Sequence, residues 1–143
     1  MRPINILLVE DNEGDILLTT EALEEGTIDN VLYTVRDGVA AVDLLEKEPP
    51  FAGGKLPDII LLDINLPRKN GIEVLHFIKS TIPLRHIPVI MFTTSSSESD
   101  ISRSYGNHAN CYITKPADIR DFSHVMRVIE DFWMRIVQLP SFT

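Results

Sequence analysis

Cysteine is nearly absent from this chain, which has only Cys111 among its 143 residues. A single thiol cannot form an internal disulfide, and it excludes a zinc site built on several cysteines. The scarcity of thiols is typical of a protein from a reducing compartment, so we expect a cytoplasmic location. Histidine offers no alternative metal site, because the spacing of the four histidines matches no ligand motif; they are His76, His86, His108 and His124.

A long apolar run and an excess of positive charge are also missing. The N-terminal run Ile4–Val9 contains Asn5 and is followed at once by two acidic residues, so it is too short for a signal peptide or a membrane span. The 13 lysines and arginines are outnumbered by 21 aspartates and glutamates, and the net charge is −8. A nucleic-acid-binding domain needs a basic face, whereas an acidic surface favours cations and basic partners. The sequence therefore predicts neither a membrane nor a nucleic-acid partner.

Glycine is scarce as well, and none of the seven glycines falls in a phosphate-binding pattern. Neither G-x-x-x-x-G-K nor G-x-G-x-x-G occurs, which removes the main support for a nucleotide-binding loop. What remains is an ordinary globular composition, with 44% hydrophobic and 24% charged residues. A chain of 143 residues fits one domain with a sizeable core, and we expect residues 1–143 to form that single domain.

Apolar segments alternate between the strand pattern and the helix pattern five times along the chain. Strands are expected at residues 4–9, 31–35, 59–62, 87–92 and 111–114. Helices are expected at 15–25, after Asp37, from an N-cap at Asn70, weakly from 95 to 105, and from 118 to about 138. The third strand, IILL, is apolar throughout, which is typical of a strand buried on both faces of a parallel sheet. The alternation predicts an α/β fold, a doubly wound parallel sheet of five strands flanked by five helices.

The first and last helices have apolar faces that can be assigned from the pattern. The first is expected to bury Ile16, Leu17, Ala22 and Leu23. The last is expected to bury one stripe, made of Phe122, Val125, Met126, Ile129, Trp133, Ile136 and Val137. Three further apolar residues widen this surface and are either exposed singly or part of a homodimer interface; they are Ile119, Val128 and Phe132.

Polar side chains directly follow four of the five predicted strands. Glu10 and Asp11 follow the first, Asp63 the third, Thr93 the fourth and Lys115 the fifth. The carboxyl ends of parallel strands lie at one edge of the sheet, where ligands bind in doubly wound folds. A single acid at a strand end is most simply a solvated residue, but several strands ending in complementary chemistry indicate a site.

The charges of these residues indicate a metal and a nucleophile. Lys115 offsets only one of three carboxylates, and a hard divalent cation such as Mg²⁺ would offset the others through oxygen ligands. A cation held by Asp11, Asp63 and a backbone carbonyl just beyond would leave one oxygen of Asp63 free. That oxygen would face a metal, an amine and a hydroxyl, the groups that stabilise a phosphoryl group during transfer.

These residues resemble the receiver domain of two-component response regulators. The resemblance rests on Glu10-Asp11, on DINLP from Asp63, on Thr93 after PVIMF, and on YITKP ending at Pro116, and it spans residues 4–136. Within this family the chain is most similar to small single-domain regulators that are paired with cyanobacterial and other bacterial phytochromes. The segment EDNEGD at residues 10–15 and the long final helix carry that narrower similarity.

The resemblance implies a fold, a reaction and a role for each residue. The fold is flavodoxin-like with strand order 2-1-3-4-5, and Asp63 accepts a phosphoryl group from a phosphohistidine of a sensor histidine kinase, with a bacterial phytochrome as one candidate. Mg²⁺, replaceable by Mn²⁺, is bound by Glu10, Asp11, Asp63 and the backbone carbonyl of Asn65. The remaining roles are phosphoryl binding by Lys115 and Thr93, inward rotation of Tyr112, tuning of hydrolysis by Ser95, and a cis peptide between Lys115 and Pro116.

Three functions remain open from the sequence. The first is a phosphorylation switch that is not an enzyme, loses its phosphoryl group slowly, and signals through protein contacts because the 28 residues after Lys115 leave no room for an output domain. The second is an aspartyl-phosphate hydrolase, which needs a second acid near the nucleophile where Asn65 stands instead. The third is a receiver-like binding module that works without phosphorylation.

Overall fold

Strands and helices alternate along the chain in the computed structural model, which describes residues 2–140. The strands are β1 (Ile4–Val9), β2 (Asn30–Val35), β3 (Ile59–Leu62), β4 (Val89–Thr93) and β5 (Cys111–Thr114). The α-helices are α1 (Glu13–Glu25), α2 (Gly38–Lys47), α3 (Gly71–Ser80), α4 (Glu98–Gly106) and α5 (Ile119–Ile129). A short 3₁₀ turn, Ala52–Gly54, precedes β3, and a π-helical segment, Glu130–Ile136, continues α5.

The five strands form one parallel sheet in the order β2-β1-β3-β4-β5, which confirms the predicted fold. All four residues of β3 are fully buried, as expected for a central strand covered on both faces. One apolar core lies between the sheet and helices α2 and α3, and a second lies between the sheet and helices α1 and α5. The register pairs Val9 with both Val35 and Leu62, so neighbouring strands end at the same level.

Each α-helix begins at a polar residue whose side chain accepts a hydrogen bond from the first turn. The predicted cap Asn70 is confirmed, since it accepts from the backbone N–H of Glu73, and Asp37, after which a helix was expected, accepts from the N–H of Ala40. Such caps satisfy donors that the helix itself leaves unpaired. Among residues 2–140, no helix has the length and apolar character needed to cross a membrane.

Two residues were assigned to the wrong helix face. Leu17 is 57% exposed, because the inward face of α1 is formed by Thr19 and Leu23 together with the half-buried Ile16. Ile136 is exposed as well. The helix widens to π-helical hydrogen bonding from Glu130 onward, which shifts the angular position of every later residue from that of a regular α-helix.

Glu130 is an acid buried between the end of α1 and the last helix. Its Oε1 has no hydrogen-bond partner within residues 2–140, and burial raises the pKa of its carboxyl group. A Cβ atom on Gly26 would lie 2.0 Å from that oxygen, so a larger residue at the end of α1 would require the Glu130 carboxyl group to shift. At the amino end of β3, by contrast, the buried Asp58 accepts hydrogen bonds from Arg2 and from the backbone of Asn5.

Candidate functional site

The ammonium group of Lys115 is the point at which the polar strand ends converge. Its Nζ donates to Glu10 Oε1, to Asp15 Oδ2 at 2.9 Å and to Asp63 Oδ2 at 3.3 Å. The side chains of Lys115 and Glu10 are each 2% exposed, so this ion pair is removed from water. Three carboxylates therefore surround one buried cation at the carboxyl edge of the sheet.

The sheet positions these residues by extending its backbone pairing one residue past the strands. The N–H of Glu10 donates to the carbonyl of Val35, and the N–H of Asp63 donates to the carbonyl of Val9. The N–H of Lys115 donates to the carbonyl of Thr93 at 2.7 Å. Each functional side chain thus begins from backbone held by a neighbouring strand, which limits its freedom before any ligand binds.

The loop after Asp63 is held by an unusually close approach of α3. The N–H of Gly71 donates to the carbonyl of Ile64 at 2.8 Å, and a Cβ on Gly71 would lie 2.0 Å from the carbonyl oxygen of Asp63. Any larger residue would collide with the backbone that carries the Asp63 side chain.

The charges in this site do not balance. Burial raises the pKa of Glu10 to about 7, and Asp63 adds to the shift while the hydrogen bond from Lys115 opposes it. Burial also lowers the pKa of Lys115, but its contacts with Glu10, Asp63 and Asp15 outweigh burial and leave that pKa above its ordinary value. The lysine stays protonated, and the carboxylates retain an excess of negative charge.

The available donors are of the kind that a hard divalent cation prefers. All are oxygens, and Asp11 at the rim is exposed with no hydrogen bond or ion pair to the rest of residues 2–140. In that same range no three acidic, histidine or cysteine side chains surround a common metal position. The carboxylate oxygens instead surround the Lys115 ammonium, so a cation would draw on oxygens that the lysine now contacts. The donor set fits such a cation in chemistry and in charge.

Thr93 and Tyr112 are linked through the loop that follows β4. Thr93 is fully buried, and its Oγ1 accepts a hydrogen bond from the N–H of Ser95 at 3.4 Å. The Tyr112 hydroxyl donates to the carbonyl of Ser95 at 2.8 Å, and the Ser95 hydroxyl donates to Asp100 Oδ2 at 2.6 Å. Tyr112 therefore already contacts the segment that carries Thr93 and Ser95, which connects the site to the first turn of α4.

The predicted cis peptide between Lys115 and Pro116 is wrong, because no cis bond occurs in residues 2–140. The trans isomer is the preferred one for a bond before proline. With it, the Lys115 side chain reaches all three carboxylates.

The structure brings Glu10, Asp63 and Lys115 together as the sequence pattern predicted. Asn65 lies beside them, and its N–H donates to Asp63 Oδ1 at 3.4 Å. Asp15 was missed, although its Oδ2 lies closer to Lys115 than that of Asp63. Its sequence signals are an acid in the first turn of α1, where acids also occur because of the helix dipole, and its place at the end of EDNEGD, which gave it no role of its own.

Three comparisons identify proteins similar to this chain. Residues 6–127, which include Glu10, Asp63, Thr93 and Lys115, match the family described as response regulator receiver domain. Response regulator Rcp1 of Synechocystis sp. is 44% identical over 139 residues, which cover 97% of this chain and 95% of that protein.

Two solved structures have nearly the same fold over the same length. The phosphorylated cyanobacterial phytochrome response regulator RcpA has a TM-score of 0.92 at 46% identity, covering 98% of this chain and 100% of that one. The Mn²⁺-bound form of Rcp1 has a TM-score of 0.91 at 44% identity, covering 97% of this chain and 100% of that one.

Proposed function

Because the chain belongs to the response regulator receiver domain family, we propose that Asp63 is its phosphoacceptor. The observation that carries the proposal is the position of this carboxylate, nearly buried at the end of the central strand and in contact with the Lys115 ammonium. Receiver domains act as signalling switches, and this one receives its phosphoryl group from a phosphohistidine of a sensor histidine kinase.

In the transfer, one oxygen of Asp63 forms a bond to phosphorus while the phosphorus–nitrogen bond of the donor breaks. The departing imidazole retains the electron pair and takes up a proton. Lys115 contributes positive charge beside Asp63 Oδ2, where negative charge on the phosphoryl oxygens must be stabilised. Thr93, the buried last residue of β4, supplies a hydroxyl to the same group.

A divalent cation, Mg²⁺ or Mn²⁺ in its place, completes the site. Glu10, Asp11, Asp63 and the backbone carbonyl of Asn65 would hold it. When bound, it neutralises charge on the phosphoryl oxygens. The excess of carboxylates around Lys115 supports this assignment, and so does the Mn²⁺-bound form of the relative Rcp1.

Phosphorylation reaches the protein surface through Thr93 and Tyr112. When the Thr93 hydroxyl turns to the phosphoryl group, it gives up the hydrogen bond from Ser95, and Tyr112 fills the space that Thr93 leaves. The hydrogen bond from Tyr112 to the Ser95 carbonyl supports this coupling, because it ties the ring to the loop that must move. Ser95, two residues after Thr93, tunes the rate at which water removes the phosphoryl group.

The switch needs a kinase but no catalytic turnover of its own. A bacterial phytochrome is the kinase we propose, since RcpA is a phytochrome response regulator and is 46% identical to this chain. Phosphohistidine is made from ATP, so we assign the exchange to the cytoplasm. Self-dephosphorylation is slow because Asn65, rather than a second acid, lies beside Asp63.

Intact mass measurement after incubation with Mg²⁺ and acetyl phosphate tests the phosphoacceptor. We expect a gain of one acid-labile phosphoryl group in the wild type and none in Asp63→Asn. Asp58→Asn is the matched control, because Asp58 is equally buried and lies at the opposite end of the same strand; it should still be labelled. Rapid multiple turnover would favour a hydrolase, and absence of labelling in the wild type would favour a binding module.

We further propose that the final helix forms a homodimer surface. Four large apolar side chains are exposed along it, namely Ile119, Val128, Phe132 and Ile136. Phe132→Glu should elute as a monomer in size-exclusion chromatography where the wild type elutes as a dimer, because a charge would be buried at the interface. Ile82→Glu, which alters an apolar residue that is 71% exposed outside this helix, should elute like the wild type. Unchanged elution of Phe132→Glu would show that Phe132 is not part of a dimer interface.

A further inference from the structure

Asp15 contacts the phosphoryl-transfer site without having a role in the transfer described so far. Its Oδ2 accepts from Lys115 Nζ at 2.9 Å across 100 residues of sequence. The first turn of α1 fixes its backbone, because the N–H of Asp15 donates to the capping side chain of Asn12 at 2.9 Å. The Asp15 side chain is 23% exposed, so it is more accessible than the side chains of Lys115, Glu10 and Asp63 with which it is grouped.

We propose that Asp15 is a positioning residue that retains the Lys115 ammonium when a divalent cation takes the oxygens of Glu10 and Asp63. The inference rests on the proposed function, since it assumes that those two carboxylates bind the cation. An ammonium has three N–H donors, and the three acceptors within reach here are Glu10, Asp15 and Asp63. Asp15 is the only one of the three that is outside the proposed metal ligands.

Competition for the same oxygens makes this third acceptor necessary. A cation coordinated by Glu10 and Asp63 occupies carboxylate oxygens that would otherwise accept hydrogen bonds from Lys115. The ammonium is almost fully buried, so water cannot replace the lost acceptors. A buried charged donor without a hydrogen-bond partner lowers the stability of that form of the protein. Lys115 therefore moves its hydrogen bonding toward Asp15 and stays within reach of Asp63, where the phosphoryl oxygens will lie.

Loss of the Asp15 carboxylate should therefore weaken metal binding. Asparagine can offer Lys115 only a neutral amide oxygen, so the charge-assisted hydrogen bond is lost from both forms of the protein, but the metal-bound form has fewer acceptors left for the ammonium. In Asp15→Asn, Lys115 would remain with Glu10 and Asp63 and oppose the cation more strongly. Removing a negative charge near the site acts in the same direction, so the experiment must separate the contact from the charge.

Titration with Mn²⁺, with the free ion followed by electron paramagnetic resonance, measures the affinity directly. We expect Asp15→Asn to bind Mn²⁺ about tenfold more weakly than the wild type. Glu13→Gln removes a carboxylate from the same helical turn, where Glu13 is exposed and paired with Arg36, and it should change the affinity less than about twofold. Thermal melting of each variant verifies that it is folded.

A double-mutant cycle with Lys115→Ala isolates the contact itself. If Asp15 acts through the lysine, Asp15→Asn should change the Mn²⁺ affinity less than about twofold when Lys115 is already absent. An equal loss with and without Lys115, or equal losses for Asp15→Asn and Glu13→Gln, would overturn the positioning role. Wild-type affinity in Asp15→Asn would overturn it while leaving the metal site intact, whereas a wild type that binds no Mn²⁺ would overturn both.

Discussion

Lys115→Ala is expected to lower the free energy of unfolding by about 3–5 kcal/mol in metal-free buffer near pH 8. The substitution leaves Glu10, Asp63 and Asp15 facing one another without the cation that joins them. Removing one partner of a buried ion pair is far more costly than the net contribution of the pair, because the remaining charges stay desolvated. Urea denaturation followed by circular dichroism measures the difference.

The loss of stability caused by Lys115→Ala should become smaller at lower pH and when a divalent metal is added. The hydrogen bond from Lys115 lowers the pKa of Glu10, so its loss raises that pKa further above the value of about 7 in the native site. A carboxyl group whose folded-state pKa is raised is penalised as the pH rises through that pKa, and the penalty is absent below its unfolded-state pKa. The deficit of Lys115→Ala should therefore shrink from pH 8 to pH 5, and also when Mg²⁺ is added at pH 8.

Lys47→Ala is the control for loss of a lysine without a buried partner. The Nζ of Lys47 lies 3.7 Å from Asp43 Oδ1 on the exposed side of α2, and such surface pairs contribute about 0.5 kcal/mol or less. A deficit below about 1 kcal/mol for Lys115→Ala, with no response to Mg²⁺, would mean that the carboxylates relax into water when the lysine is removed.

The parts of the fold that could be predicted from the sequence are those that depend on local patterns. The run from Ile59 to Leu62 has no polar alternation, and this alone identified a strand covered on both faces. The cap at Asn70 and the start of a helix after Asp37 were predictable because an N-cap depends on one side chain and on a backbone N–H only three residues later. The convergence of Glu10, Asp63 and Lys115 then followed from the rule that parallel strands present their carboxyl ends together.

The features that could not be predicted depend on contacts between distant segments or on changes of helix geometry. The hydrogen bond between Asp15 and Lys115 spans 100 residues, and an acid in a first helical turn has an ordinary explanation of its own. Ile136 fits the apolar stripe only if the helix stays regular, and the π-helical hydrogen bonding beyond Glu130 breaks that assumption. The family resemblance suggested a role for each site residue, and it also suggested a cis bond before Pro116 that the structure does not have.

Gly71→Ala is expected to lower the free energy of unfolding by about 3 kcal/mol, at the upper end of the cost of overpacking. The new methyl group would lie 2.0 Å from the carbonyl oxygen of Asp63, whose backbone N–H is hydrogen-bonded to Val9, while α3 packs in the same core as β3. Chemical denaturation measures the stability, and the same shift should slow labelling by acetyl phosphate because it displaces Asp63.

Gly106→Ala is the matched control for Gly71→Ala. Gly106 ends α4, and a Cβ there would meet no heavy atom within 4 Å, so alanine should stabilise the protein by about 0.5–1 kcal/mol through its higher helix propensity. Labelling should be unchanged in this variant. If the two alanine substitutions had equal effects, the close approach of α3 would not be what fixes the Asp63 loop. Opposite signs would mean that glycine is needed at residue 71 for space rather than for backbone freedom.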